Sequence, residues 1–170
     1  MSEPEFAANY PNPPDGFTEV PEGSWKLANV NAGDQPLSTL HVSSCVIIAV
    51  ANVEAGRGYL GHFFHPAHES RRRFHGMLQA LEANEGGGSD LHGWVGGASY
   101  VRFATESDAR EHNQKVGDDR EYVQKKLSAI EHIVSLREEW MRDEETIPVL
   151  TFHPARPAIE FVRESLALSP

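Results

Sequence analysis

At 170 residues with 39% apolar content, the chain is long enough to bury a single core and reads as one domain. Its formal charge of −10 and pI near 5.3 argue against a nucleic-acid partner, because phosphate binding needs a surplus of Lys and Arg on one face. One cysteine excludes an intrachain disulfide, the acids and prolines of Met1 to Gly23 lack the pattern of a signal peptide, and no apolar run approaches the ~18 residues that span a bilayer. A cytoplasmic protein without membrane insertion is therefore expected.

Residues 1–24 carry Pro4, Pro11, Pro13, Pro14 and Pro21, spaced by Asn, Asp, Glu and Gly. Proline lacks an amide donor and disfavours helix in the residue before it, so this segment reads as an irregular tail, with the folded domain over 25–170. Ser24 to Val30 and Pro36 to Val42 are short candidate strands. Cys45 to Val50 is β-branched and almost wholly apolar, as expected of a strand covered on both faces. The turn chemistry of Glu54-Ala-Gly-Arg-Gly58 predicts a hairpin returning through Tyr59 to Phe64.

Pro66 suits the first turn of a helix whose apolar stripe is Phe74, Met77, Leu78 and Leu81, and which Gly86-Gly87-Gly88 breaks. The basic run Arg71-Arg72-Arg73 reads as its solvated face. Leu91 to Ala98 is a further strand. A long helix is predicted from about Asp118 to Met141, with Val123, Leu127, Ile130, Val134 and Met141 as its stripe and Ile133, Leu136 and Trp140 widening it. Asp118 and Asp119 would then meet the positive end of its dipole. Ile147 to Phe152 and Ala158 to Val162 close the sequence as strands. The order predicts an α/β layered sandwich, a mixed sheet packed against two helices.

Chemistry centres on Cys45. A lone cysteine beside Val-Ile-Ile is commonly a small buried hydrophobe. Here, however, it stands at a loop-to-strand junction, directly after Ser43-Ser44, and His62 falls near the matching end of the returning strand. A thiol nucleophile needs an imidazole beside it, because the thiolate is the reactive form.

Thr39-Leu-His-Val-Ser-Ser-Cys45-Val-Ile-Ile-Ala-Val resembles the stretch of the chemoreceptor glutamine deamidases, the CheD family, in which a threonine, a small-residue turn and the nucleophilic cysteine open a strand. Gly58-Tyr-Leu-Gly-His62-Phe-Phe-His-Pro66 is similar to that family's segment bearing the catalytic histidine, and the intervals from Thr39 to Cys45 and from Cys45 to His62 match it. Trp94-Val-Gly-Gly-Ala98 resembles its Phe-Gly-Gly-Ala strand, and Gly117 and Ile147-Pro-Val-Leu fall in the same order, so the resemblance covers about Trp25 to Val162.

The resemblance implies a Cys45–His62–Thr39 triad, with Ser43 and Ser44 in the turn that forms the oxyanion site. It also implies an α/β sandwich shared with the cytotoxic-necrotizing-factor toxins, and no cofactor. The implied reaction is deamidation of a protein glutamine or asparagine side chain, with that protein as partner. Two features depart from the family: His41 and Ser43 stand where it usually has glycine, and Phe152-His-Pro-Ala-Arg156 replaces an Asp-Gly-Gly element. Protein N-terminal asparagine amidohydrolase, similar to the same superfamily, also has polar residues before its cysteine. A non-enzymatic adaptor that binds a regulatory protein partner is the alternative.

His62, His65 and His68 form a His-x-x-His-x-x-His run beside Glu69, but Pro66 interrupts it and the HExxH-type spacing is absent, so no metal site is expected there. His75, His92 and His153 read as surface or satisfied core residues. Gly96-Gly97 has no Lys-Ser/Thr beside it and reads as close backbone packing rather than a phosphate cradle.

Overall fold

A computed structural model of the chain describes residues 12–102, 106–156 and 158–165. Nine strands and two α-helices are found among them: β1 (Thr18–Glu19), β2 (Ser24–Asn29), β3 (Leu37–Val42), β4 (Val46–Asn52), β5 (Arg57–Phe63), α1 (Arg71–Glu85), β6 (Leu91–Gly97), α2 (Glu106–Ser128), β7 (Ile133–Trp140), β8 (Glu145–His153) and β9 (Ala158–Ser165). They make a mixed α/β fold. Instead of the one mixed sheet expected, they form two, of order β1-β3-β8-β9 and β2-β5-β4-β6-β7. Each sheet is mixed: β1 runs parallel to β3 and β7 parallel to β6, while the other pairs are antiparallel.

β4 lies at the centre of the larger sheet and is buried along its whole length. Its period-2 alternation divides the core. Val46, Ile48 and Val50 face Phe74, Met77 and Leu81 of α1 and Val116, Val123 and Leu127 of α2. Ile47, Ala49 and Ala51 face Leu37, Ile147, Leu150 and Phe152 of the smaller sheet. The layers are thus helices, five-stranded sheet and four-stranded sheet.

Three helix boundaries differ from the sequence reading. α1 starts at Arg71 rather than at Pro66, because the His65 carbonyl accepts the amides of His68 (2.9 Å) and Ser70 (3.1 Å) and closes a turn ahead of the helix. The solvated basic run, Arg71 to Arg73, is exposed as expected. The larger correction concerns the predicted helix from Asp118 to Met141. α2 ends at Ser128, and Ile133 to Trp140 form β7, zipped in parallel onto β6. Asp118 and Asp119 lie inside α2 rather than at its start. Asp119 is buried, accepting from His65 Nδ1 (2.7 Å) and the Ala67 amide (3.0 Å).

The N-terminal segment also departs from an irregular tail. Although Pro4 and Pro11 lie outside the described residues, Thr18–Glu19 pairs with Leu37 and Ser38 of β3, and Val20 is fully buried. Among the described residues, no helix is long and apolar enough to cross a membrane.

The end of α1 is tied to the sheet by Glu85. Its carboxylate, itself buried, accepts from Asn52 Nδ2 (2.7 Å), Tyr59 Oη (3.0 Å), Arg57 Nε (2.5 Å) and Arg57 Nη2 (3.0 Å). Burial alone would raise this carboxyl, yet the hydrogen bonds from Arg57, Asn52 and Tyr59 outweigh it and hold the group below its ordinary value.

Candidate active site

Two connections cross between the sheets at the same end of the sandwich. Val20 to Gly23 carries the chain from β1 to β2, and Ser43 to Cys45 carries it from β3 to β4. Beneath them lie the inward faces of β3 and β5. Thr39 comes from β3 and is fully buried; His62 comes from β5, one step before its last residue, and is 1% exposed.

Leu37, Thr39 and Val42 are all buried, although strict alternation would turn Val42 outward. The interruption falls at His41, whose φ of 55° lies in the left-handed region. A residue with a Cβ is strained there.

The turn bearing Cys45 is pinned from β6 and the residues after it. Ala98 N–H donates to the Cys45 carbonyl (2.7 Å) and Ser99 N–H to the Ser43 carbonyl (2.9 Å). Gly97 makes this approach possible: a Cβ there would stand 2.4 Å from the Cys45 carbonyl oxygen, and its φ of 78° is itself left-handed. Close backbone packing is therefore what the second glycine of the Gly96-Gly97 pair provides.

Thr39 Oγ1 makes two buried hydrogen bonds of 2.7 Å, donating to the Val20 carbonyl and meeting His62 Nδ1. A hydroxyl has one proton. With that proton committed to Val20, Thr39 accepts from His62, so Nδ1 carries the imidazole proton and Nε2 carries the lone pair. That Nε2 is buried and has no hydrogen-bond partner among the described residues. Burial, with His41 nearby, pushes the His62 pKa down to about 4, so the ring stays neutral at physiological pH.

Cys45 is 5% exposed, and its Sγ lies 3.6 Å from Glu22 Oε1. The Cys45 sulfur, a ring nitrogen of His62 and a carboxylate oxygen of Glu22 all lie within 4.8 Å of one another. Burial, then the negative charge and hydrogen bond of Glu22, push the thiol well above its ordinary range. The resting pair is therefore a neutral thiol beside a neutral imidazole. This corrects the simple expectation that the histidine would hold the sulfur as thiolate.

The chain matches no family model and no curated protein.

Of the residues singled out from sequence, Thr39, Cys45 and His62 converge, and Ser43 and Ser44 form the turn beside them. The His-x-x-His-x-x-His run does not converge. His62 turns to Thr39, His65 pairs with buried Asp119, and exposed His68 meets Asp118 at 3.2 Å. His75 bonds Tyr122, and His92 bonds Ser135 on the surface.

Glu22 was missed. It sits between Pro21 and Gly23, whose φ of 84° turns the chain and whose carbonyl is held by Arg73 Nη1 at 2.7 Å. A Pro-acid-Gly turn directly before β2 was the only signal for it.

Glu22 gives a direct test of this electrostatic picture. In the folded protein Cys45 is expected to react with iodoacetamide more slowly than free cysteine near neutral pH, and Glu22→Gln is expected to accelerate it several-fold by removing the charge that opposes thiolate. Equal alkylation rates in the two proteins would remove Glu22 from control of the thiol.

Proposed function

We propose that this protein is a cysteine-dependent amidohydrolase that deamidates a glutamine or asparagine side chain of a protein substrate. The observation that carries the reading is the fixed tautomer of His62: a buried imidazole with its lone pair unclaimed, beside the chain's single thiol. A cysteine that merely fills core space has no need of an oriented base. The resemblance of the Thr39–Cys45 and Gly58–Pro66 segments to the CheD family supplies the substrate class.

In the proposed reaction the Cys45 thiol proton passes to His62 Nε2 as Sγ bonds to the carboxamide carbon. The amides of Ser44 and Cys45, which the carbonyl pinning of the turn does not use, are the proposed donors to the resulting oxyanion. One such donor is worth ~2.7–4 kcal/mol in comparable sites. His62 then returns its proton to the amide nitrogen, the C–N bond breaks and ammonia leaves a thioester. Water, losing a proton to Nε2, attacks the thioester carbon; the S–C bond breaks and the proton returns to sulfur. The net reaction is amide plus water giving carboxylic acid plus ammonia. Thr39 is a positioning residue throughout, since it acts through the imidazole.

Two conservative replacements of Thr39 test the arrangement. Thr39→Val keeps the shape but removes the acceptor for Nδ1–H, and is expected to lower kcat by on the order of a hundredfold or more with little change in KM, because a misoriented imidazole harms proton transfer while the amide still docks. Thr39→Ser retains the oxygen and most of the activity. Equal kcat for the two variants would leave a Cys45–His62 dyad without Thr39.

One observation favours a second reading. The Glu22 carboxylate opposes thiolate formation, as suits an adaptor that binds a protein partner and has no use for a nucleophile.

A further inference from the structure

Glu22, Cys45 and His62 are the one set of three potential metal donors brought together among the described residues. We propose that they form a capture site for a thiophilic divalent cation of the zinc class, which shuts the amidohydrolase off; the inhibitory part rests on the function proposed above. The donors suit such an ion. Tetrahedral zinc holds sulfur at ~2.3 Å and nitrogen and oxygen at ~2.0–2.2 Å, which sets neighbouring donors about 3.5 Å apart. Cys45 Sγ and Glu22 Oε1 already stand 3.6 Å apart, and every donor pair lies within 4.8 Å, so side-chain adjustments close the rest.

The second, independent observation is His62. Its Nε2 is buried and without a partner, while Nδ1–H donates to Thr39. A metal-bound histidine characteristically donates its other N–H to a neighbouring acceptor, which fixes the ring and its tautomer; here that partner is in place before any ion arrives. One carboxylate and one thiolate match the charge of a divalent ion, and Glu22 reaches in from an exposed loop. Binding replaces the S–H bond with an S–metal bond and releases one proton to solvent. It also occupies the Nε2 lone pair, so nucleophile and base are silenced together.

Cadmium is the probe, because its bond to thiolate gives an ultraviolet charge-transfer band and this chain has one sulfur able to make it as thiolate. Titrating chelator-stripped full-length protein is expected to give a band that saturates at one equivalent, with Cys45 protected from iodoacetamide in step. Glu22→Gln changes an exposed side chain and is expected to weaken binding about tenfold, and Thr39→Val similarly through the ring that it orients. No saturable band, or an affinity the same in wild type, Glu22→Gln and His62→Ala, would reduce the site to a lone thiol and overturn it.

Zinc at one equivalent is further expected to stop ammonia release, and chelation to restore it. Undiminished release from the zinc-loaded protein overturns the inhibitory role. The band and the protection are read without substrate. One-equivalent binding to a protein that never releases ammonia therefore upholds the metal site while refuting the hydrolase, and release without binding does the reverse.

Discussion

Replacing Cys45 by alanine is expected to abolish ammonia release from every amide substrate while leaving the fold intact. The two halves of that expectation have separate causes. A hydrolase whose nucleophile and base act as a unit loses on the order of a million-fold in kcat when the nucleophile goes, and with one cysteine in the chain no neighbouring thiol can substitute. The structural cost is small, about 1 kcal/mol, because the side chain is short and the turn is held through backbone carbonyls by Ala98 and Ser99 rather than through the sulfur. His62→Ala should be equally inactive, but less stable, since it strips Thr39 of a buried partner. Unchanged circular dichroism with ammonia release below detection in Cys45→Ala is the expected pair of results, and wild-type rates in that variant would exclude the mechanism.

The second large effect lies away from the site. Glu85→Ala is expected to destabilise the fold by about 3 kcal/mol, because it leaves Asn52 Nδ2 and the Tyr59 hydroxyl buried without their acceptor. Arg57, with its side chain 31% exposed, recovers part of its loss by hydration, which keeps the figure below that of a fully buried ion pair. For a domain of this size the melting temperature should fall by roughly 6–12 °C. The wild-type contribution should also depend on pH in a defined direction. A carboxylate held below its ordinary value stabilises the fold fully above its unfolded pKa, and that stability is lost as the pH falls through the depressed folded value. The gap between wild type and Glu85→Ala should therefore be widest near neutral pH and narrow in acid. A gap independent of pH would mean that Glu85 acts by packing alone.

Much of this geometry was legible because hairpins are local. The turn at Glu54 to Gly58 returns β5 alongside β4, and the register that follows sets His62 opposite Ile47, two residues from Cys45. Thr39 and Cys45 were close in sequence and remained close in space. Sheet partition was not legible. Apolar alternation gives a strand's faces but not its neighbours, so nothing in Ile147 to Phe152 signalled that β8 would pair with β3 rather than join the larger sheet.

The β7 error has a similar cause. No glycine or proline interrupts the chain between Asp119 and Ile147, so no breaker marked the end of α2. Yet Ile133, Val134 and Leu136 already spread too widely for one helical stripe. Glu22 stayed hidden because its role depends on β1 pinning a proline-rich segment across the end of the sandwich, a long-range pairing of two residues.

In the proposed reaction Cys45, oriented against the neutral imidazole of His62, hydrolyses a carboxamide through a thioester. The most direct measurement is ammonia release by reduced, chelator-treated wild-type protein from glutamine- and asparagine-containing protein and peptide substrates in heavy-oxygen water, with the product carboxylate weighed by mass spectrometry. One ammonia for each amide converted and one heavy oxygen in each new carboxylate are expected, since water supplies the oxygen that cleaves the thioester. No ammonia from any of these substrates, with the thiol intact and the protein folded, would contradict it.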